Sequence, residues 1–138
     1  MSTMTAAELA RVNAELGRDA AGLTAWALGL GQRSIVTTNF RPFEAVILHL
    51  VTRVQPDVPV VWMDNGYNTE ATYRFADEVT KQLGLNLRIY LPRRSRAHRE
   101  ALEGATPALD DPRHAAFTEE VKLEPFARAL RETAPEVW

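Results

Sequence analysis

Residues 58–63 read Val-Pro-Val-Val-Trp-Met, a nearly continuous apolar run. Such runs are typical of a strand that is covered on both faces, as the strands of parallel sheets are. A short β-branched strand precedes this run at residues 34–38, and a third strand follows it at residues 85–91. Segments with helical periodicity, at residues 42–55 and 69–83, separate the three strands. The alternation predicts an α/β fold, an open parallel sheet with helices on both faces and right-handed crossovers.

Both crossover helices have apolar residues at helical spacing, which predicts the face that each turns to the sheet. For the first helix the predicted buried face is Phe43, Val46, Ile47, Leu50 and Val54. For the second helix it is Phe75, Ala76, Val79 and Leu83. Thr69 is the predicted cap at the start of the second helix, and Gly84 the residue that ends it.

The length of 138 residues predicts a single α/β domain over residues 1–138. Within it, residues 1–33 form N-terminal helices and residues 34–92 form a βαβαβ core. Residues 93–138 contain a connection, a helix interrupted or restarted at Pro125, and the start of a fourth strand at residues 136–138. We expect this fourth strand to pair with the first.

The composition excludes several classes of protein. With 46% hydrophobic residues the chain can bury a core, and a net charge of -2 lacks the basic excess that nucleic-acid binding favours. The absence of cysteine excludes disulfides, thiolate metal sites and cysteine nucleophiles within these residues. No metal-ligand spacing, membrane-spanning run or secretory signal is visible in the sequence. We therefore expect a cytoplasmic protein that binds neither nucleic acid nor a membrane.

Two polar segments follow predicted strands and lead into helices, where ligands of open parallel sheets bind. The first, residues 37–44, offers hydroxyl, amide and guanidinium groups beside free N–H groups, which suit an anion. The second, residues 62–67, offers Asp64 as an acceptor and Gly66 for close backbone approach. Polar residues after strands are also ordinary turn formers, and neither segment matches the Walker or dinucleotide glycine pattern. The residues alone therefore predict an α/β domain with a candidate nucleotide-binding site.

Several separated blocks of the chain resemble the phosphoadenosine phosphosulfate (PAPS) reductase family, in the same order and register. They are residues 36–40 and 45–51 (the family's phosphate loop and first helix), 56–67 (a strand ending in an Asp-Thr-Gly-Tyr-like turn), 72–78, 85–90 and 122–126 (a Lys-Val-Glu-Pro-like motif). The resemblance covers nearly the whole chain beyond the first helix.

The resemblance implies an adenine nucleotide alpha hydrolase-like, Rossmann-like fold and reduction of 3′-phosphoadenylyl sulfate to sulfite in assimilatory sulfate reduction. In the family a thiolate attacks the sulfur, and thioredoxin or glutaredoxin resolves the S-sulfocysteine. That cysteine lies in a C-terminal Glu-Cys-Gly-Leu-His motif with no counterpart here. The resemblance therefore implies a fragment, the N-terminal portion of a reductase, with no catalytic residue of its own and no activity alone.

The resemblance also implies the residues that bind substrate, which could be 3′-phosphoadenylyl sulfate or adenosine 3′,5′-bisphosphate. They are Thr37, Thr38, Asn39, Phe40 and Arg41 in the first segment, Asp64, Asn65 and Gly66 in the second, and Lys122. The alternatives are helix capping for the first group, a plain turn for the second, and a solvated lysine for Lys122. Glu124 is expected to orient Lys122 or to cap the turn at Pro125.

The sequence departs from the family pattern at some positions. Asn39 occupies a position where the family usually has serine, and Arg41-Pro42 occupies positions where the family usually has glycine and its neighbour. Phe117-Thr118 stands where family members that reduce unphosphorylated adenylyl sulfate carry the Cys-Cys pair of an iron–sulfur cluster. We therefore expect no bound cofactor and a 3′-phosphorylated substrate. The basic run at residues 93–99 is interpreted as a solvated face in preference to a 3′-phosphate site.

Three functions of this chain are consistent with the sequence. The first is a thioredoxin-dependent PAPS reductase, and the second a degenerate adenine-nucleotide-binding module without redox activity. The third, a sulfate adenylyltransferase subunit, ranks last because residues 37–44 lack a Ser-Gly-Gly-Lys-Asp-Ser-like loop. An open strand edge would also favour homodimers.

Overall fold

Three parallel strands form the centre of the computed structural model, which describes residues 4–138. They are β1 (Val36–Thr38), β2 (Pro59–Met63) and β3 (Asn86–Tyr90), paired in the order β1-β2-β3. The Cα register places Thr38 beside Trp62 and Trp62 beside Ile89. The predicted parallel α/β sheet is confirmed. The expectation of no secretory signal rests partly on residues 1–3, which lie outside the described residues.

Helices cover both faces of this sheet. Helices α3 (Glu44–Val54) and α4 (Glu70–Leu83) belong to one face, where Val60 and Trp62 join a buried cluster with residues of both helices. Helix α7 (Glu124–Thr133) covers the other face, where Val61 packs with Ala129. Alternate residues of β2 thus enter opposite cores, which explains why this strand is apolar at successive positions.

The predicted buried face is confirmed for α4 and wrong for α3. In α4, Ala76 and Val79 are buried, Thr69 caps the first turn, and Gly84 ends the helix at φ 61. In α3 the buried residues are Leu48, Val51 and Thr52. The predicted residues Phe43, Val46, Ile47 and Val54 are exposed, and Leu50 is half-buried. Since α3 is apolar on more than one side, periodicity did not distinguish its two candidate faces.

The remaining helices surround this core. Helices α1 (Ala6–Leu16) and α2 (Ala20–Leu28) precede the sheet, and α2 packs on α3. Helix α5 (Arg96–Glu103), which the sequence analysis did not predict, starts at the Ser95 cap. The last predicted helix divides into α6 (His114–Thr118), a π-helical turn (Glu119–Leu123) and α7. Pro125 is the second residue of α7 and directly follows the π-helical turn, so the helical pattern changes next to the residue that has no N–H to donate.

The end of the described chain returns to the sheet, but as a single bridge in place of the predicted start of a fourth strand. Val137 forms a parallel bridge with Ser34, and its carbonyl accepts a hydrogen bond from the Ile35 N–H at 2.9 Å. The Glu136 carboxylate accepts the Gln32 N–H at 2.7 Å and pairs with Arg33 at 2.9 Å. Hydrogen bonds from the Gln32 and Arg33 N–H groups lower the pKa of Glu136. Across residues 4–138, no helix is long and apolar enough to cross a membrane.

Candidate functional site

Two polar loops lie side by side at the carboxyl edge of the sheet. The first loop, residues 39–43, joins β1 to α3, and the second loop, residues 64–69, joins β2 to α4. Since β1 and β2 are hydrogen-bonded neighbours, their backbones are only about 4.8 Å apart. Trp62 contacts the first loop and helix α4, with its ring centroid 5.0 Å from that of Phe40 and 5.7 Å from that of Tyr73.

The first loop turns sharply at Phe40. This residue has φ 54, a left-handed conformation that few residues other than glycine adopt. Its ring is buried in the core, and its N–H donates to the Thr38 hydroxyl at 2.9 Å. The Phe40 side chain therefore lies in the core and anchors the loop, and the prediction that Phe40 binds substrate stays a prediction.

The donors of the first loop converge on Glu44, in the first turn of α3. The Oε2 atom of Glu44 accepts the Thr38 hydroxyl at 2.8 Å and the Asn39 N–H at 2.7 Å. The Arg41 N–H points to the same oxygen at 3.4 Å. The loop thus has the donor set predicted for an anion, and a carboxylate of the same chain occupies it.

Thr37 does not join this donor set. Successive strand residues point to opposite faces, so the hydroxyls of Thr37 and Thr38 diverge. The Thr37 hydroxyl instead accepts the indole Nε1–H of Trp138 at 3.1 Å, and the Trp138 ring packs 5.1 Å from that of Phe126. The hydroxyls of Thr37 and Thr38 therefore have different partners, and the prediction that both bind the phosphosulfate stays a prediction.

The second loop is organised around one oxygen of Asp64. Its Oδ1 accepts the Gly66 N–H at 3.0 Å, the Asn68 amide at 3.0 Å and the Tyr73 hydroxyl at 2.8 Å. Gly66 adopts φ 80, which explains the choice of glycine at this turn. Burial, followed by the bond to Asp64, raises the pKa of Tyr73. The other carboxylate oxygen, Oδ2, receives no hydrogen bond from the described residues.

The second loop continues into an arginine-rich cluster. Asn65 accepts the Tyr67 N–H at 2.8 Å, and the Tyr67 hydroxyl accepts a hydrogen bond from Arg99 Nε at 2.8 Å. Arg99 is only 2% exposed and also lies over the Phe117 ring at 4.7 Å. The interpretation of residues 93–99 as a solvated face is therefore wrong for Arg99.

Arg94 is also held by partners. It donates to Glu120 and to Glu103, each at 2.6 Å, and the bond from Arg94 lowers the pKa of Glu120. Arg94 and Arg99 line a cavity of about 480 Å³ together with Arg113. The basic run at residues 93–99 was identified from the sequence but its pairing with Glu103 and Glu120 was not, although Ser95 as a helix cap and the pairs of Arg and Glu four residues apart indicate a helix there.

The structure gives Lys122 and Glu124 different surroundings. Lys122 is exposed on the π-helical turn, whereas Glu124 is half-buried and bonds Arg128 at 3.1 Å and Arg93 at 3.3 Å. These bonds, that of Arg128 first, lower the pKa of Glu124. Glu124 therefore does not orient Lys122, contrary to the expectation. Among residues 4–138, no group of three or more His, Asp or Glu side chains could hold a metal ion.

Comparisons with known proteins agree with this architecture. A family model described as the phosphoadenosine phosphosulfate reductase domain matches residues 33–138. The phosphoadenosine 5′-phosphosulfate reductase of Synechococcus sp. is 40% identical over 135 residues, which cover 94% of this chain and 57% of that protein. The enzyme of the same name from Escherichia coli K12 is 40% identical over 132 residues, covering 94% of this chain and 54% of that protein. The chain therefore spans about half the length of these curated relatives.

A solved structure shares the fold. The phosphoadenylyl-sulfate (PAPS) reductase from Candida auris, crystallised as a phosphate complex, superposes with a TM-score of 0.78 at 21% identity. The match covers 96% of this chain and 66% of that chain. Together with the parallel sheet, it defines an α/β domain of the adenine nucleotide alpha hydrolase-like class. The family match over residues 33–138 is more specific, and the chain belongs to the phosphoadenosine phosphosulfate reductase family.

Proposed function

We propose that this chain binds 3′-phosphoadenylyl sulfate at the two strand-end loops, as the nucleotide-binding part of a reductase that releases sulfite in sulfate assimilation. One observation carries the proposal. In a member of this family, a set of anion donors and a buried carboxylate lie on adjacent strands, at the edge where parallel sheets bind ligands.

The two loops receive different parts of the nucleotide in this proposal. The Thr38 hydroxyl and the N–H groups of Asn39 and Arg41 bind the phosphosulfate, and the Arg41 guanidinium adds a positive charge. The second loop, Asp64 to Gly66, takes the nucleoside, with Asp64 Oδ2 as acceptor. Lys122 is a further cation toward the phosphosulfate. Thr37 and Phe40 support the first loop.

The reduction itself requires a thiol that these 138 residues do not contain, because the chain has no cysteine. A thiolate from elsewhere attacks the sulfur, adenosine 3′,5′-bisphosphate leaves, and an S-sulfocysteine remains. Reduced thioredoxin or glutaredoxin then supplies the electrons that free sulfite. The proposal involves no iron–sulfur cluster, and it places the reaction in the cytoplasm, where these carriers are kept reduced.

A second candidate is an adenine-nucleotide-binding module without redox activity. One observation favours it: Glu44 occupies the donors of the first loop. For the chain alone, both candidate functions predict that the nucleotide binds and that no sulfite is released. Only the reductase proposal expects sulfite once a thiol-bearing partner polypeptide of the same family is added.

Calorimetric titration with adenosine 3′,5′-bisphosphate tests the proposal. We expect weak binding by the wild-type chain, and Asp64→Asn should weaken it at least about fivefold because a charged acceptor is lost. Asp57→Asn, an exposed residue before β2, is the matched control and should leave the affinity unchanged. If no heat develops at millimolar nucleotide, or if both variants bind as the wild type does, the proposed site is wrong.

A further inference from the structure

The first loop already holds an anion, and this anion is part of the protein. The three donors of the loop, the Thr38 hydroxyl and the N–H groups of Asn39 and Arg41, point at a single carboxylate oxygen of Glu44. The first two distances, 2.8 Å and 2.7 Å, are those of good charge-assisted hydrogen bonds.

An external phosphate or sulfate group would need the same three donors. A hydrogen on a donor aimed at Glu44 cannot serve a second acceptor with comparable geometry. The carboxylate would also lie beside the incoming anion, and two negative charges at such a distance repel one another. Glu44 and the anion of a nucleotide therefore exclude each other from this loop.

Glu44 can leave the loop without disturbing the core. The residue is half-buried at the start of α3, whereas the core residues of the helix, Leu48, Val51 and Thr52, begin a full turn later. Rotation of the side chain would release all three donors and leave the backbone of the loop in place. Phe40, buried against Trp62, holds that backbone.

We infer that Glu44 is an internal competitor for the anion site of the first loop, and that its displacement sets the affinity of the loop for phosphate and sulfate groups. This inference rests on the proposed function, because it concerns the same loop. It makes Glu44 a residue that lowers anion affinity in the wild-type chain.

Two substitutions separate this role from a structural one. Glu44→Gln keeps an acceptor oxygen for the loop and removes the charge, and Glu44→Ala frees the donors entirely. Glu70→Gln is the matched control, since Glu70 also stands in the first turn of a helix that follows a strand, but it is exposed and pairs with Arg74. Circular dichroism and thermal melting check that each variant is folded.

The test is titration of all four proteins with adenosine 3′,5′-bisphosphate and with inorganic sulfate. We expect affinity for both probes to rise at least about tenfold in Glu44→Gln and Glu44→Ala, and to stay unchanged in Glu70→Gln. If neither folded Glu44 variant gains affinity for either probe, the inference is overturned, and Glu44 is only a local cap.

The pattern of results also separates this inference from the proposed function. A gain for sulfate with no binding of the nucleotide would support Glu44 as the competitor and reject the nucleotide site. Nucleotide binding by the wild type with no gain in the variants would keep the proposed function and reject the competitor.

Discussion

Arg99 donates a hydrogen bond from its Nε to the Tyr67 hydroxyl at 2.8 Å, and this bond ties helix α5 to the second strand-end loop. Arg99 is 2% exposed, and the central carbon of its guanidinium lies 5.5 Å from the ring centroid of Tyr67 and 4.7 Å from that of Phe117. A planar guanidinium suits this site, since it can contact aromatic rings and donate from a fixed edge to the phenol.

The first prediction concerns this pair. Arg99→Lys should lower the free energy of unfolding by about 1.5–3 kcal/mol, because a lysine cannot donate in the same geometry and its charge stays buried. The control Arg93→Lys affects a side chain that is 76% exposed, and we expect a change within about 0.5 kcal/mol. Urea denaturation measures both, and equal effects would show that the buried position of Arg99 has no energetic consequence.

The second prediction concerns Asp64. Asp64→Ala removes the acceptor for Gly66, Asn68 and Tyr73, and should cost about 1–3 kcal/mol of stability because these donors lose their partner. Asp77→Ala is the control, since Asp77 is 67% exposed and makes one pair with Lys81. A melting temperature for Asp64→Ala no lower than that of the control would contradict the role of Asp64 as the centre of this turn.

The third prediction concerns the contact that brings residues 136–137 to the sheet. A Cβ added at Gly31 would lie 2.7 Å from the Cβ of Glu136 and 3.2 Å from Val137 Cγ2. Gly31→Ala should therefore destabilise the protein by about 1–3 kcal/mol through overpacking.

Gly29→Ala provides the comparison for Gly31. Its Cβ would meet carbonyl oxygens at 3.4 Å, and its φ of -74 suits any residue. We expect the Gly29 variant to be at least as stable as the wild type in thermal melting. If Gly31→Ala has the same melting temperature as Gly29→Ala, the Gly31–Glu136 contact is not tightly packed.

The fourth prediction is a pH dependence. The bond from Arg94 lowers the pKa of Glu120 from its usual value of 4.5, so the folded state favours the charged carboxylate. The stability that this contributes is present above pH 4.5 and is lost as the pH falls through the lowered pKa. Arg94→Met should therefore destabilise the protein most at neutral pH, and the difference from the wild type should shrink below pH 4.5.

Arg74→Met serves as the control for this pH dependence. Its partner Glu70 is 80% exposed, so the variant should differ little from the wild type at any pH. Thermal melting between pH 3 and pH 7 tests both variants. A deficit of Arg94→Met that is constant over this range would mean that the Arg94–Glu120 pair is not coupled to folding.

The sheet was predictable because its strands carry unambiguous local signals. The run at residues 58–63 is apolar at successive positions because its residues enter two cores, and Thr69 and Gly84 mark the ends of α4 by their chemistry. Helix α3 gave an ambiguous signal, since its exposed side holds Val46 and Ile47 while Leu48 and Val51 enter the core. Only tertiary packing selects between two apolar faces.

The candidate site was predictable as two loops but not in its internal contacts. Residue types after a strand indicate an anion site, yet the bonds of Glu44 arise from the reversal of the chain at Phe40, which has no signature in the residue types. The divergence of Thr37 from Thr38 follows from strand alternation and was available from the sequence. Burial of Arg99 was hidden by its neighbours, because a run of arginines is usually solvated.

An amide chemical-shift map of the chain titrated with adenosine 3′,5′-bisphosphate shows directly whether the nucleotide binds at the carboxyl edge of the sheet. We expect the largest changes on residues 38–44 and 64–67, which lie at that edge. Residues 32–34, 55, 57 and 86, which line a cavity at the opposite edge, are the internal control and should not shift. Changes confined to that opposite edge, or none at millimolar nucleotide, would contradict the account.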